Sequence, residues 1–256
     1  MATYLLKKSY RHKDLKEIKF HDLWSCYGVF TTMRIIGKPA KILFFKEHIE
    51  NLIRSLKVYK INKKNIKKNI FNLIKLNLSK NKRYDHLFRI AVNSKMISVS
   101  LRKKLKLKKK FSLKLTNYKR VESEYKNLKY KKIINYLKKM DTTKSDIALY
   151  KDKKILESGT SNLLFIKKSK IYSPINNFYK GTTLKFFIKK LKKIIKKNVL
   201  INSLNEYDEI IIIGSGKGVV SVNSIDKPYW KRKSLKNYQI LLKIYKKEIS
   251  NCSIYK

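Results

Sequence analysis

Four short stretches of this chain carry side chains whose types and spacing could do chemistry. Lys132 stands three residues ahead of Asn135-Tyr136-Leu137, and a lysine amine serves both as a nucleophile toward carbonyl carbon and as a proton carrier. Lys131 and Lys129 compete with it for that role in a chain so rich in lysine. Glu157 opens the small-residue turn Ser158-Gly159-Thr160-Ser161-Asn162 ahead of the apolar Leu163-Leu164-Phe165. Acidic residues number 17 against 64 basic ones, so a glutamate in that place carries information. Gly181-Thr182-Thr183 begins a helical pattern, where free N–H groups and the positive dipole end favour an anion. Gly214-Ser215-Gly216-Lys217-Gly218 follows the apolar run Glu209–Ile213 and is a second small-residue loop of that kind. It lacks the Gly-x-x-x-x-Gly-Lys-Ser/Thr frame and runs into strand-like Val219–Val222, which excludes a P-loop and a dinucleotide turn.

The elements that must position these groups are legible as periodic patterns. Trp24 to Gly37 is rich in β-branched and aromatic residues, with backbone freedom at Gly28, and turns at Gly37-Lys38-Pro39, so it reads as a strand into a turn. Ile49, Leu52, Ile53 and Leu56 have helical spacing and predict a helix over 45–58, and Ile66, Ile70, Phe71, Ile74 and Leu78 predict another over 65–78. Strands are expected at 86–92, 96–101 and 111–116. Beyond them come a short helix over 135–140 and strands at 147–150, 155–156, 163–167 and 170–173. Leu184, Phe187, Ile188, Leu191, Ile194 and Ile195 form one long apolar stripe, predicting a helix from Gly181 through Ile195. A basic amphipathic helix is expected over 235–249. The polar, non-periodic stretch around residues 117–124 marks a boundary. The expected organisation is a small N-terminal α/β domain over 1–118, a linker over 119–127 and a larger C-terminal domain over 128–256. The fold class is α+β.

Composition sets further bounds. With 256 residues and 43% apolar content, the chain can build two modest cores. No apolar run approaches the roughly 18–20 residues that span a bilayer. Met1-Ala2-Thr3-Tyr4-Leu5-Leu6 is too short for a signal peptide's apolar region, so a cytoplasmic protein with no membrane partner is expected. His12, His21, His48 and His86 are scattered and Cys26 and Cys252 lie far apart, so no metal site and no disulfide framework are expected. A net charge of +47 suggests a polyanion partner. Yet lysine, isoleucine, asparagine, tyrosine and phenylalanine are inflated together, as AT-rich codon usage would produce, and no nucleic-acid module appears. No specific nucleic-acid partner is expected.

The ordered motifs resemble those of class IV aminotransferases, the fold-type IV pyridoxal-phosphate enzymes of D-amino acid aminotransferase type, from about Tyr27 to about Asp226. The family's Lys-x-x-Asn-Tyr-Leu is similar to Lys132 through Leu137, which implies that Lys132 bonds the cofactor's aldehyde carbon and that the Tyr136 hydroxyl lies near the ring oxygen. The family's Glu-Gly-small-small-Asn-Leu-Phe resembles 157–165, which implies that Glu157 faces the pyridine nitrogen. Gly181-Thr182-Thr183 resembles Gly-Ile-Thr-Arg, and Gly214-Ser215-Gly216 resembles the second phosphate loop, implying phosphate contacts from Thr182, Thr183, Ser215 and Gly216. Two departures stand out. Lys132 and Glu157 are only 25 residues apart (157 − 132), shorter than the family interval by roughly two helical turns. His48-Ile49-Glu50-Asn51-Leu52 is similar to His-x-x-Arg-Leu, with Asn51 in place of the phosphate-binding arginine. Arg54, one turn further on, could supply the charge.

Phe30-Thr31-Thr32 resembles the Phe-Thr-Thr segment of 4-amino-4-deoxychorismate lyases, and branched-chain aminotransferases carry Phe-Glu-Gly there. Asn93-Ser94-Lys95 stands where D-amino acid transaminases have an arginine-rich carboxylate trap. The resemblance therefore implies a lyase that releases pyruvate and p-aminobenzoate for folate synthesis. Thr31 and Arg89 would be on the substrate side, and the substrate would be aminodeoxychorismate. Alternatives are a branched-chain or other amino acid aminotransferase, and a degenerate, non-catalytic polyanion-binding protein. By the same resemblance a homodimer is expected.

Overall fold

A computed structural model describes residues 3–79, 81–227 and 229–255. The chain forms two compact units. The first comprises the chain up to Lys104 together with Tyr125–Lys131 and the residues from Asn251 on. The second comprises Leu105–Glu124 and Lys132–Ser250.

The first unit is built on six strands, β1 (Tyr4–Arg11), β2 (Glu17–Ile18), β3 (Gly28–Gly37), β4 (Lys41–Ile42), β5 (Tyr84–Asn93) and β6 (Met96–Lys103). They lie in the order β2-β1-β6-β5-β3-β4, with every pairing antiparallel. Helices α1 (Phe45–Val58) and α2 (Ile66–Asn77) bury one stripe each. Ile49, Leu52, Leu56, Ile70, Leu73 and Ile74 share a core with Val29, Met33 and Ile35 of β3 and with Phe88 and Ile90 of β5. Side chains of a strand alternate between faces, so Thr31 falls on the same face as Val29, Met33 and Ile35. That register turns a threonine hydroxyl inward. Residues 125–131 run back along the start of β3. Phe30 N–H donates to Lys126 O at 2.9 Å, Leu128 N–H to Gly28 O at 2.9 Å, and Asn127 bridges Val29. Gly28 is required at that crossing, because a Cβ there would lie 2.4 Å from Val92 O and 2.8 Å from Leu128 Cδ1.

Among its described residues the second unit holds eleven strands, three α-helices and one short 3-10 helix at Ile201–Glu206. The strands are β7 (Ser112–Asn117), β8 (Ser145–Lys151), β9 (Lys154–Ser158), β10 (Asn162–Lys167), β11 (Lys170–Ser173), β12 (Ile194–Lys196), β13 (Val199–Leu200), β14 (Glu209–Gly214), β15 (Gly218–Ser221), β16 (Ser224–Ile225) and β17 (Trp230–Lys231). The helices are α3 (Lys131–Lys138), α4 (Thr182–Leu191) and α5 (Lys236–Ser250). Two sheets, β12-β11-β10-β14-β15 and β13-β9-β8-β7-β16-β17, close on one core that includes Leu113, Ala148, Phe165, Ile212 and Trp230. Helices α4 and α5 pack on β14 and β15, so Glu209–Ile213 is buried along its whole length, as a strand covered on both faces must be. Glu209 is fully buried and accepts the Asn237 and Tyr238 N–H groups at 2.8 Å each, where a carboxylate satisfies free donors at the start of α5.

Several elements depart from the sequence expectation. Strand β7 pairs in parallel with β8 and belongs to the second unit, although it was expected in the N-terminal domain. The stretch 119–127, expected as a linker, contributes buried Arg120 and Ser123 to the second unit and buried Asn127 to the first. The helix expected to run through Ile195 ends at Leu191, with Lys192 left-handed at φ 55°. The β-branched Ile194 and Ile195 then pair with Ile171 and Tyr172 as a strand.

Candidate functional site

In the second unit, Glu157 lies near the end of β9 with its side chain buried against Arg120. Arg120 Nε donates to Glu157 Oε1 at 2.6 Å, Nη2 approaches Oε2 at 3.5 Å, and the same Nη2 donates to Ser123 O at 2.6 Å. The two side chains are 1% and 6% exposed, so this ion pair is shielded from water. A carboxylate oxygen has more than one acceptor site, so Arg120 does not exhaust what Glu157 can accept. Arg120 falls in no sequence motif, but a signal was there. Only eight of the 64 basic residues are arginine, and a planar guanidinium fork is what a buried carboxylate selects over lysine.

The turn after Glu157 leads into β10, whose first residue, Asn162, organises the next element. Asn162 Nδ2 donates to Tyr179 O at 2.6 Å, and its Oδ1 accepts Gly181 N–H at 3.0 Å. Gly181 is the residue before α4, and a Cβ there would strike Asn162 Oδ1 at 2.8 Å. Thr182 and Thr183 form the buried first turn of α4. Asn162 also pairs with Ile213 at the end of β14, and this brings the Gly214 loop against Ser161. A Cβ on Gly214 would lie 2.6 Å from Ser161 Oγ. Ser161 Oγ and Thr183 Oγ1 are buried hydroxyls with no hydrogen-bond partner. Buried polar groups are nearly always satisfied, so two orphan hydroxyls beside a helix N-terminus and a small-residue loop point to an anionic ligand. Asn162 matches the asparagine of the motif that follows Glu157, while nothing in the type of Ser161 marks it out there.

Lys132 lies in the first turn of α3 and is exposed, its ammonium 4.6 Å from the centre of the Tyr118 ring. Lys131 is exposed beside it and Tyr136 is half-buried. An exposed first-turn amine is poorly placed to be held in one geometry out of water.

In the first unit, Thr31 Oγ1 shares a 2.8 Å hydrogen bond with His48 Nδ1. Burial, and then the Lys126 ammonium, push the His48 pKa down to about 3, so its imidazole is neutral at ordinary pH. Lys126 is half-buried, its ammonium 4.9 Å from the centre of the Phe30 ring. Phe30 in turn packs edge-on against Trp24 and Tyr130. Lys129, also half-buried, lies over Tyr27 at 5.9 Å. Asn51 is buried one turn beyond His48 on α1, and Arg54 Nη2 donates to Asn51 Oδ1 at 2.5 Å. The Arg89 guanidinium lies 4.3 Å over Trp24 and is engaged by both the backbone oxygen and the carboxylate of Asp22.

A family model for amino-transferase class IV matches residues 28–225. The chain belongs to the class IV amino-transferase family. Solved structures agree on the fold. A branched-chain aminotransferase from Thermoproteus uzoniensis, with norvaline, superposes at TM-score 0.77 with 16% identity, covering 94% of this chain and 93% of its own. A hypothetical aminotransferase from Mycobacterium tuberculosis, in its PLP-bound form, superposes at TM-score 0.70 with 12% identity, covering 94% and 98%. A Legionella pneumophila protein assigned as 4-amino-4-deoxychorismate lyase superposes at 0.70 with 16% identity, covering 87% and 91%. No curated protein sequence matches the chain. As a class IV aminotransferase-family enzyme it is an α+β protein of mixed sheets and helices. Among its described residues no helix is long and apolar enough to cross a membrane.

Proposed function

We propose that this class IV family member is a pyridoxal 5′-phosphate enzyme and that it cleaves 4-amino-4-deoxychorismate to pyruvate and p-aminobenzoate. The observation that carries the cofactor is the pair of orphan buried hydroxyls, Ser161 Oγ and Thr183 Oγ1. A phosphate would satisfy them together with N–H groups of Thr182, Ser215 and Gly216. When bound, the cofactor supplies an electron sink for negative charge developing at the substrate's α-carbon. Glu157 would accept the pyridinium N–H, with Arg120 fixing the plane of its carboxylate. The family resemblance, rather than any contact in the second unit, assigns to Arg54 the charge that an arginine at position 51 gives elsewhere in the family.

Lys126, rather than Lys132, is the better candidate for the lysine that holds the cofactor and moves the α-proton. Lys126 is half-buried beside aromatic rings while Lys132 is exposed. The interval from Lys126 to Glu157 is 31 residues (157 − 126), which removes most of the shortfall noted for Lys132. Lys126-Asn127-Leu128-Lys129-Tyr130 then keeps the Lys-x-x-x-Tyr spacing, and buried Tyr130 takes the role read for Tyr136.

The lyase is favoured by the resemblance at Thr31, a position where branched-chain enzymes carry glutamate, with its buried hydroxyl bonded to neutral His48. Arg89 is occupied by Asp22, so a substrate carboxylate would have to compete for it. The family resemblance supports a homodimer in the cytoplasm as part of the same reading.

The test is direct. Purified protein mixed with pyridoxal 5′-phosphate should develop a bound-cofactor absorbance band, and borohydride reduction with peptide mapping should place the label on Lys126. A label on Lys132 overturns the lysine assignment, and no binding overturns the enzyme reading. Aminodeoxychorismate without a keto-acid acceptor should then yield pyruvate. Amino transfer to a keto acid with no pyruvate release would make the protein an aminotransferase instead.

A further inference from the structure

Lys217 has no part in the roles assigned above, yet it is the single cation of the loop between β14 and β15 and is largely enclosed. Its ammonium donates to Asp146 Oδ2 at 3.0 Å and to Thr160 Oγ1 at 2.6 Å, and the Thr160 hydroxyl approaches the same carboxylate oxygen at 3.3 Å. The Asp146 side chain is fully buried and that of Lys217 is 12% exposed. Asp146 Oδ1 accepts the Ile147 N–H at 2.8 Å, and a Cβ on Gly159 would come within 2.9 Å of it. The turn after Glu157 is therefore seated directly on this carboxylate. An ammonium, a hydroxyl and a carboxylate close a triangle that ties the Gly214–Gly218 loop to the Thr160–Ser161 turn.

Each strand of that tie borders a group already described. Thr160 precedes Ser161, whose Oγ is an orphan hydroxyl. Lys217 follows Ser215 and Gly216, and Gly214 abuts Ser161. Lysine is abundant everywhere in this chain and acidic residues are scarce, so a fully buried aspartate paired with this one lysine is a costly arrangement. A buried charge is kept only when paired, and a paired one enforces geometry more than it adds stability. The charge of Lys217 is cancelled by Asp146, so its effect on an anion nearby must come through placement.

We infer that Lys217 is a positioning residue for the cofactor's phosphate, acting through Asp146 and Thr160 to hold the Gly214–Gly218 loop against Ser161. The inference rests on the pyridoxal 5′-phosphate reading. It makes the phosphate loop and the turn after Glu157 one rigid assembly within the second unit. Residues that orient a ligand's partners without touching the ligand typically change affinity by about tenfold to a hundredfold, as for groups that orient metal ligands.

The experiment compares binding of pyridoxal 5′-phosphate with that of pyridoxal, which has the same ring and aldehyde and no phosphate, by absorbance titration of the purified full-length protein. Lys217→Met is expected to weaken pyridoxal 5′-phosphate binding about tenfold or more and to leave pyridoxal within about twofold, in the range for orienting groups. Lys217→Arg should restore most of the loss. Lys217→Met leaves Asp146 buried and unpaired, so it is paired with Lys217→Met/Asp146→Asn, which keeps an acceptor for the Ile147 N–H and removes the stranded charge. Thr160→Val, which leaves the ion pair in place, should show a smaller loss of the same sign. Unchanged pyridoxal 5′-phosphate affinity in the double variant, or equal losses for both ligands, overturns the inference. If the wild-type protein binds neither ligand, the cofactor reading itself falls and takes the inference with it.

Discussion

The buried pair of His48 and Thr31 gives a quantitative test of the first unit. His48 titrates at about 3 in the folded chain against an ordinary value of 6.5, first because it is buried and second because the Lys126 ammonium opposes a second positive charge. The folded pKa is lowered, so below pH 6.5 the unfolded chain binds a proton that the folded chain does not. Stability is then lost as pH falls from about 6.5 toward 3, and no cost remains above 6.5. At pH 5 the unfolded histidine lies about 1.5 pH units below its pKa while the folded one stays neutral. At about 1.36 kcal/mol per unit, His48 should remove about 2 kcal/mol between pH 7 and pH 5. That is a large share of a typical domain stability of about 5–15 kcal/mol. The perturbation is His48→Gln, which keeps a side chain able to bond Thr31 and cannot take up the proton. Urea unfolding followed by circular dichroism at pH 7 and pH 5 measures the slope. The wild-type protein should lose about 2 kcal/mol more than the variant over that interval. His12 and His86 are also held below their ordinary value by burial, and they contribute equally to both proteins. Identical pH slopes for wild type and His48→Gln would refute the reasoning.

Other outcomes follow from single contacts. Arg120→Leu leaves Glu157 buried without its counter-charge and should cost roughly 3–5 kcal/mol in urea unfolding, with part of it recovered in Arg120→Leu/Glu157→Leu. Full stability in the single variant would mean that water or another cation reaches Glu157. Gly214→Ala places a Cβ 2.6 Å from Ser161 Oγ and 3.1 Å from Ser161 Cβ. It should lower the thermal midpoint by the equivalent of roughly 1–3 kcal/mol, the range for overpacking, and weaken phosphate-bearing cofactor further. An unchanged midpoint and unchanged cofactor affinity would show that the loop has room to move.

How much of this was legible in the sequence differs from residue to residue. Helix α1 runs from Phe45 to Val58 as its periodicity predicts, because an amphipathic stripe is a local pattern that the core reads directly. Three glycines carry more than the sequence showed: Gly28, Gly181 and Gly214 each mark a close approach where a Cβ would collide. The stripe from Leu184 to Ile195 misled, since Ile194 and Ile195 fit the helical repeat but pair with β11 once Lys192 turns the chain. Periodicity cannot weigh a helix turn against a strand partner that arrives from elsewhere.

The sequence by itself pointed to the family, through a scarce glutamate in a small-residue turn, a threonine-started helix and a glycine loop, each made of residues close together in the chain. What the tertiary structure adds is burial, which separates half-buried Lys126 and Lys129 from exposed Lys131 and Lys132. That difference depends on residues 125–131 pairing with Gly28–Phe30 at the start of β3, a contact between distant parts of the chain. Burial decides whether an amine is one of many solvated charges or one held group. Arg120 and Lys217 became visible for the same reason, through the buried carboxylates Glu157 and Asp146 with which they pair.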